Sequence, residues 1–90
     1  THVSENEIDR NDAIAVYPNP ATTNINISVQ PDVIKLAHYK LYNIRGRTVL
    51  EGNMAGNSER IIDLQGIAFG VYILELNSEK QRFIRKITKI

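Results

Sequence analysis

The sequence predicts an all-β fold, a seven-stranded antiparallel β-sandwich, on three observations. Short runs of branched and aromatic residues recur at a spacing of about 8–12 residues, Pro, Gly and Asn punctuate them, and no long stretch has helical periodicity. With 90 residues and no cysteine, the chain suits one domain with a single modest core and no disulfide to support it.

Residues 1–13 are almost wholly polar, and Val3, Ile8 and Ala13 are too scattered to make a face. They read as a flexible leader or linker, with the domain starting at Ile14. Thr1 in place of Met points to a processed product or a fragment. Ile14 to Tyr17 is a short strand stopped by Pro18-Asn19-Pro20, because neither proline can donate a ladder hydrogen bond, and such a strand belongs at a sheet edge.

Thr23 to Val29 alternates cleanly, with Ile25, Ile27 and Val29 facing a core and Asn24, Asn26 and Ser28 facing water. From Leu36 to Tyr42 a further strand places Ala37, Tyr39 and Leu41 on one face. Asn43-Ile44-Arg45-Gly46 has Asn and Gly where a type I turn wants them and leads into Arg47 to Glu51, making a central hairpin. Gly52 to Ser58 reads as a loop, Arg60 to Leu64 as a strand, and Gln65 to Gly70 as a corner. Phe69 to Asn77 and Lys80 to Ile90 then form a terminal hairpin across Asn77-Ser78-Glu79. Tyr72, Leu74, Leu76, Phe83 and Ile87 are its core residues. The last segment is the least regular: Phe83, Ile84, Ile87 and Ile90 would also suit a helix, but its branched residues and the missing N-cap favour a strand.

Charge is uneven although the net charge is only +1. Residues 1–20 carry Glu5, Glu7, Asp9 and Asp12 against Arg10, and residues 79–90 carry Lys80, Arg82, Arg85, Lys86 and Lys89 against Glu79. An acidic leader and a charged edge strand that resists aggregation explain this better than a polyanion site. The basic tail has one aromatic, Phe83, so a nucleic-acid surface is not expected, and direct membrane insertion is not expected either.

Catalysis is poorly provided for. His2 lies in the leader, His38 alternates onto a wet face, the carboxylates are unpaired, and no serine sits in a nucleophile elbow. Gly66 and Gly70 are backbone corners rather than a phosphate cradle. Asp9, Asn11 and Asp12 lack the later glycine and glutamate of a calcium loop. No enzyme, no metal and no cofactor is expected. A sugar platform would need several exposed rings, and only Tyr42 faces outward.

Four blocks, in order, carry a resemblance: Val16-Tyr17-Pro18-Asn19-Pro20-Ala21, Tyr39 to Val49, Asp63-Leu64 with Gly70 to Leu74, and Lys80 to Ile90. Together, over about residues 14–90, they resemble the type A C-terminal sorting domain of the type IX (Por) secretion system of Bacteroidetes. Asn43 stands where that family often has Asp, and Ile67-Ala68 where it commonly has Leu-Pro. The family motif falls here on Pro18, Asn19, Pro20, Tyr39, Leu41, Asn43 and Gly46.

The resemblance implies an immunoglobulin-like sandwich that acts as a secretion signal. An upstream cargo, fused to it, would cross the inner membrane by an N-terminal signal, and the machinery would recognise the domain in the periplasm. The cargo would then pass the outer membrane to the cell surface or beyond. A surface signal peptidase, a cysteine protease, would usually cut in or before residues 1–13 and join the cargo to anionic lipopolysaccharide. Gly70, Tyr72, Lys86, Ile87, Lys89 and Ile90 are the expected signal residues. Homodimerisation through an exposed edge is a further expectation. The alternatives are an immunoglobulin-like adhesion or carbohydrate-binding module and a structural spacer, since fold alone does not choose.

Overall fold

A computed structural model describes residues 13–30, 32, 34–54 and 58–90. It is an all-β sandwich, consistent with an immunoglobulin-like fold. Its strands are β1 (Ile14–Tyr17), β2 (Asn24–Val29), β3 (Leu36–Asn43), β4 (Thr48–Asn53), β5 (Glu59–Asp63), β6 (Gly70–Ser78) and β7 (Arg82–Lys89). One sheet has the order β1-β2-β5 and the other β4-β3-β6-β7, with every paired neighbour antiparallel. No helix among the described residues is long and apolar enough to cross a membrane.

Alternation places the core. In β2, Ile25, Ile27 and Val29 are buried while Asn24, Asn26 and Ser28 are not. Across the sandwich they meet Tyr39 and Leu41 of β3, Tyr72, Leu74 and Leu76 of β6, and Phe83 and Ile87 of β7 in one cluster with Ile62 and Leu64. Burial of this apolar set is the main stabilising term for a chain with no disulfide. The short first strand is an edge strand, as its prolines require.

Ala37 departs from its expected face. The β3–β6 register shifts between Leu36 and His38, so Leu36 and Tyr39 are both buried and Ala37 is turned outward. The Ala37 carbonyl instead accepts the Met54 amide at 2.8 Å, which draws Met54 into the core. Gly52 and Asn53, read as loop, extend β4. Ala13, placed at the end of the leader, is 3% exposed, and its carbonyl accepts the Gln30 amide at 2.9 Å. The rest of the leader, residues 1–12, lies outside the described residues.

The irregular tail is a strand. Phe83 and Ile87 point into the core, and Arg85 and Lys89 share their side at the rim of the sandwich, where long stems can reach out. An edge strand has a core neighbour on one flank only, which accounts for its mixed pattern.

The strand registers and the bridge between Ala21 and Lys89 gather residues 18–23, the Asn43–Arg47 turn, residues 64–69 and the finish of β7 at one end of the sandwich. That end holds most of the candidate residues.

Candidate functional site

Segment 18–21 joins β1 of one sheet to β2 by way of the other sheet's edge. Both Xaa-Pro bonds in it, Tyr17-Pro18 and Asn19-Pro20, are cis. Asn19 Nδ2 donates to the Lys86 carbonyl at 2.8 Å, and Asn19 Oδ1 accepts the Thr88 amide at 3.0 Å. The Ala21 amide then donates to the Thr88 carbonyl at 2.7 Å, and the Ile90 amide donates to the Ala21 carbonyl at 2.8 Å. The segment is therefore a strap along the upper edge of β7, ending in a parallel bridge between Ala21 and Lys89. Ala21 is fully buried there, where a larger side chain would not fit. Pro18 and Pro20 stay exposed beside it. Along Arg82 to Ile84, no other segment of backbone bonds to that edge among the described residues.

The six expected signal residues divide into two kinds. Gly70, at φ +147°, opens β6 with a backbone that side chains rarely adopt. Tyr72 is buried, and its hydroxyl donates to the Ala68 carbonyl at 2.6 Å, closing the corner before the strand. Ile87 is core, and Lys89 Nζ donates to the Ile67 carbonyl at 2.9 Å. These four hold the hairpin. Lys86 and Ile90 differ: their backbones are fastened by the strap while their side chains are exposed.

The motif residues of the central hairpin are structural too. Asn43 caps its own turn: its carbonyl accepts the Gly46 amide at 2.9 Å, while Oδ1 accepts the amides of Arg45 and Arg47 at 2.9 and 3.0 Å. Gly46 takes φ +83°, as that position demands. Leu41 is core, and Tyr39 lies beneath the Arg60 guanidinium, 6.0 Å from the ring centroid.

A model of the family described as secretion system C-terminal sorting domain matches residues 15–90. The chain belongs to this family. No curated protein matches it. The sorting domain is a C-terminal signal for type IX secretion, which involves the type IX machinery and a fused upstream cargo and implies export to the cell surface or the extracellular space. The family is not an enzymatic one. Among the described residues no cluster of His, Asp or Glu could hold a metal ion, and no observation favours the adhesion or carbohydrate-binding alternative.

Two features of the sorting domain escaped the sequence reading. One is the contact between the Pro18–Ala21 block and the tail block, which nothing in linear spacing announces. The other is Glu75, only 9% exposed on the outward side of β6. Its Oε1 accepts from Tyr42 Oη at 3.2 Å and Asn77 Nδ2 at 3.1 Å, and its Oε2 lies 3.4 Å from Arg82 Nη1. The Asn77 amide is the chief reason its pKa is lowered; burial opposes the shift, while Tyr42, Arg82 and Lys40 add to it. A lone carboxylate inside the apolar run Val71–Leu76 was the available signal, with Arg82 its diagonal neighbour across the hairpin.

Proposed function

We propose that the type IX machinery reads this sorting domain at the end of the sandwich where β7 finishes. Lys86 and Ile90 are the presented groups, and Gly70, Tyr72, Ile87 and Lys89 hold the strand that presents them. The supporting observation is the strap: it fixes the Lys86 to Ile90 backbone while leaving those two side chains exposed. A displayed, pre-organised strand loses little entropy on being bound.

In this reading the cargo crosses the inner membrane by its own N-terminal signal. The machinery meets the folded domain in the periplasm, and a surface signal peptidase cuts ahead of β1. The polar, acidic composition of residues 1–12 suits such a cut, because a protease needs an accessible extended backbone.

The test is a reporter with an N-terminal export signal fused to residues 1–90 or to residues 1–85, expressed in a host with a type IX system. The full chain is expected to reach the surface and the shortened one to stay inside. Normal surface levels with residues 1–85 would overturn the proposal.

A further inference from the structure

Among the described residues, five of the seven exposed large apolar side chains belong to the four-stranded sheet's outer face or to the end where β7 finishes: Ile44, Phe69, Val71, Ile84 and Ile90. Ile44 is 78% exposed on the β3–β4 turn, Phe69 is 81% exposed just before β6, and Ile90 is 67% exposed just after β7. They come from three separate segments, and local turn chemistry needs none of them to be apolar. Beside Ile44 lies a shallow depression of about 330 Å³ lined by Tyr42, Asn43, Ile44, Gly46 and Ile73.

The floor of this depression is preformed. Tyr42 is tethered through its hydroxyl to Glu75, and Ile73 is fixed by pairing with Tyr42 on one side and Lys86 on the other. Its surroundings are cationic, with exposed Arg45 and Arg47 on the turn and exposed Lys86 on the neighbouring strand. The nearby carboxylates of this face, Glu75 and Glu51, stand one step along the strands in register with Lys40, and Glu75 is already enclosed by its three partners.

We infer that this depression receives an apolar side chain flanked by carboxylates on a protein component of the type IX machinery, and that Ile44, Ile73, Arg45 and Arg47 set its specificity. A shallow apolar depression with exposed cationic residues on the adjoining turn and strand complements such a protrusion. This rests on the reading that the machinery engages this end of the domain, and it extends the contact surface from the tail to the central turn.

The test uses the same reporter carrying residues 1–90 with Ile44→Asp, with Arg45→Glu plus Arg47→Glu, or with Ile61→Asp as control. Ile61 is equally apolar and 67% exposed, but it lies on the other sheet. The first two variants are expected to melt like the parent yet lower export roughly tenfold or more, as loss of a central anchor does, while the control exports normally. Normal export of Ile44→Asp, with the 1–85 chain still retained, overturns this inference and leaves the tail reading intact. Normal export of the 1–85 chain with Ile44→Asp retained overturns the tail reading alone. Flotation of the purified chain with phosphatidylglycerol vesicles that Ile44→Asp abolishes would reassign the recess to lipid. A dimer in sedimentation velocity that Ile44→Asp dissociates would reassign it to a second copy. Either result overturns the inference.

Discussion

Asn19 and Lys86, 67 residues apart, are joined by a 2.8 Å hydrogen bond from the Asn19 side-chain amide to the Lys86 carbonyl. The same side chain accepts the Thr88 amide at 3.0 Å, so a single residue occupies an edge donor and an edge acceptor of β7. Replacing it with Ala should cost about 1 kcal/mol, the low end for two hydrogen bonds because both are exposed. Asn19→Asp keeps the acceptor for Thr88 but sets a carboxylate oxygen against the Lys86 carbonyl, so it should be less stable than the parent. Urea denaturation gives the energies, and hydrogen exchange at the Thr88 amide should be faster in the Ala variant than in the Asp variant.

Tyr72→Phe retains the buried ring and removes the 2.6 Å bond to the Ala68 carbonyl. A loss of about 1–2 kcal/mol is expected, because that acceptor is left in a partly buried corner. Thermal melting would measure it, and an unchanged midpoint would show that the corner does not depend on the hydroxyl.

Glu75 has a folded-state pKa below its ordinary value of 4.5. Between the two values the unfolded chain binds more protons, so stability should rise with pH there. The contribution is fully present above 4.5 and is lost as pH falls through the folded value. Glu75→Gln should flatten this part of a stability-against-pH curve. At neutral pH the loss should be modest, about 1 kcal/mol or less from the ion pair, because Arg82 is largely exposed and solvent screens it.

Gly52→Ala should destabilise the central hairpin although Gly52 is an ordinary strand position. A Cβ there would lie 2.6 Å from the Tyr39 hydroxyl oxygen and 2.8 Å from its Cζ, and the ring is closed in beneath Arg60. Overpacking of this kind costs about 1–3 kcal/mol. Tyr39→Phe removes the nearest atom, so the double variant should lose less than the two single losses combined when compared by urea denaturation.

Fold class and the succession of strands along the chain were legible because alternation, proline stops and turn residues all agree: Thr23 to Val29, Pro18 to Pro20 and Asn43 to Gly46 each fall where their chemistry requires. The order of strands within each sheet was not, because the β2–β5 and β3–β6 pairings join segments far apart in the chain. The tail strand was legible as a strand, but its two-sided pattern made sense only once β7 was known to be an edge. Ala37 was misplaced because a bulge shifts the period by one residue, and alternation carries no mark of that. The strap was hidden for a different reason. Its hydrogen bonds run between a side chain and backbone groups far along the chain, and backbone groups leave no trace in residue identity. The recess at Ile44 was hidden likewise, since an exposed isoleucine on a turn has no meaning until Phe69 and Ile90 are seen at the same end.

The central claim is that the machinery reads the presented face of a folded β7. The most direct measurement is surface export of the reporter fused to residues 1–90 carrying Lys86→Glu and Ile90→Asp, two changes at exposed side chains that leave Ile87 in the core. The account predicts that export collapses while the melting temperature of the purified chain stays at the parent value. Export at the parent level with the fold intact would contradict it.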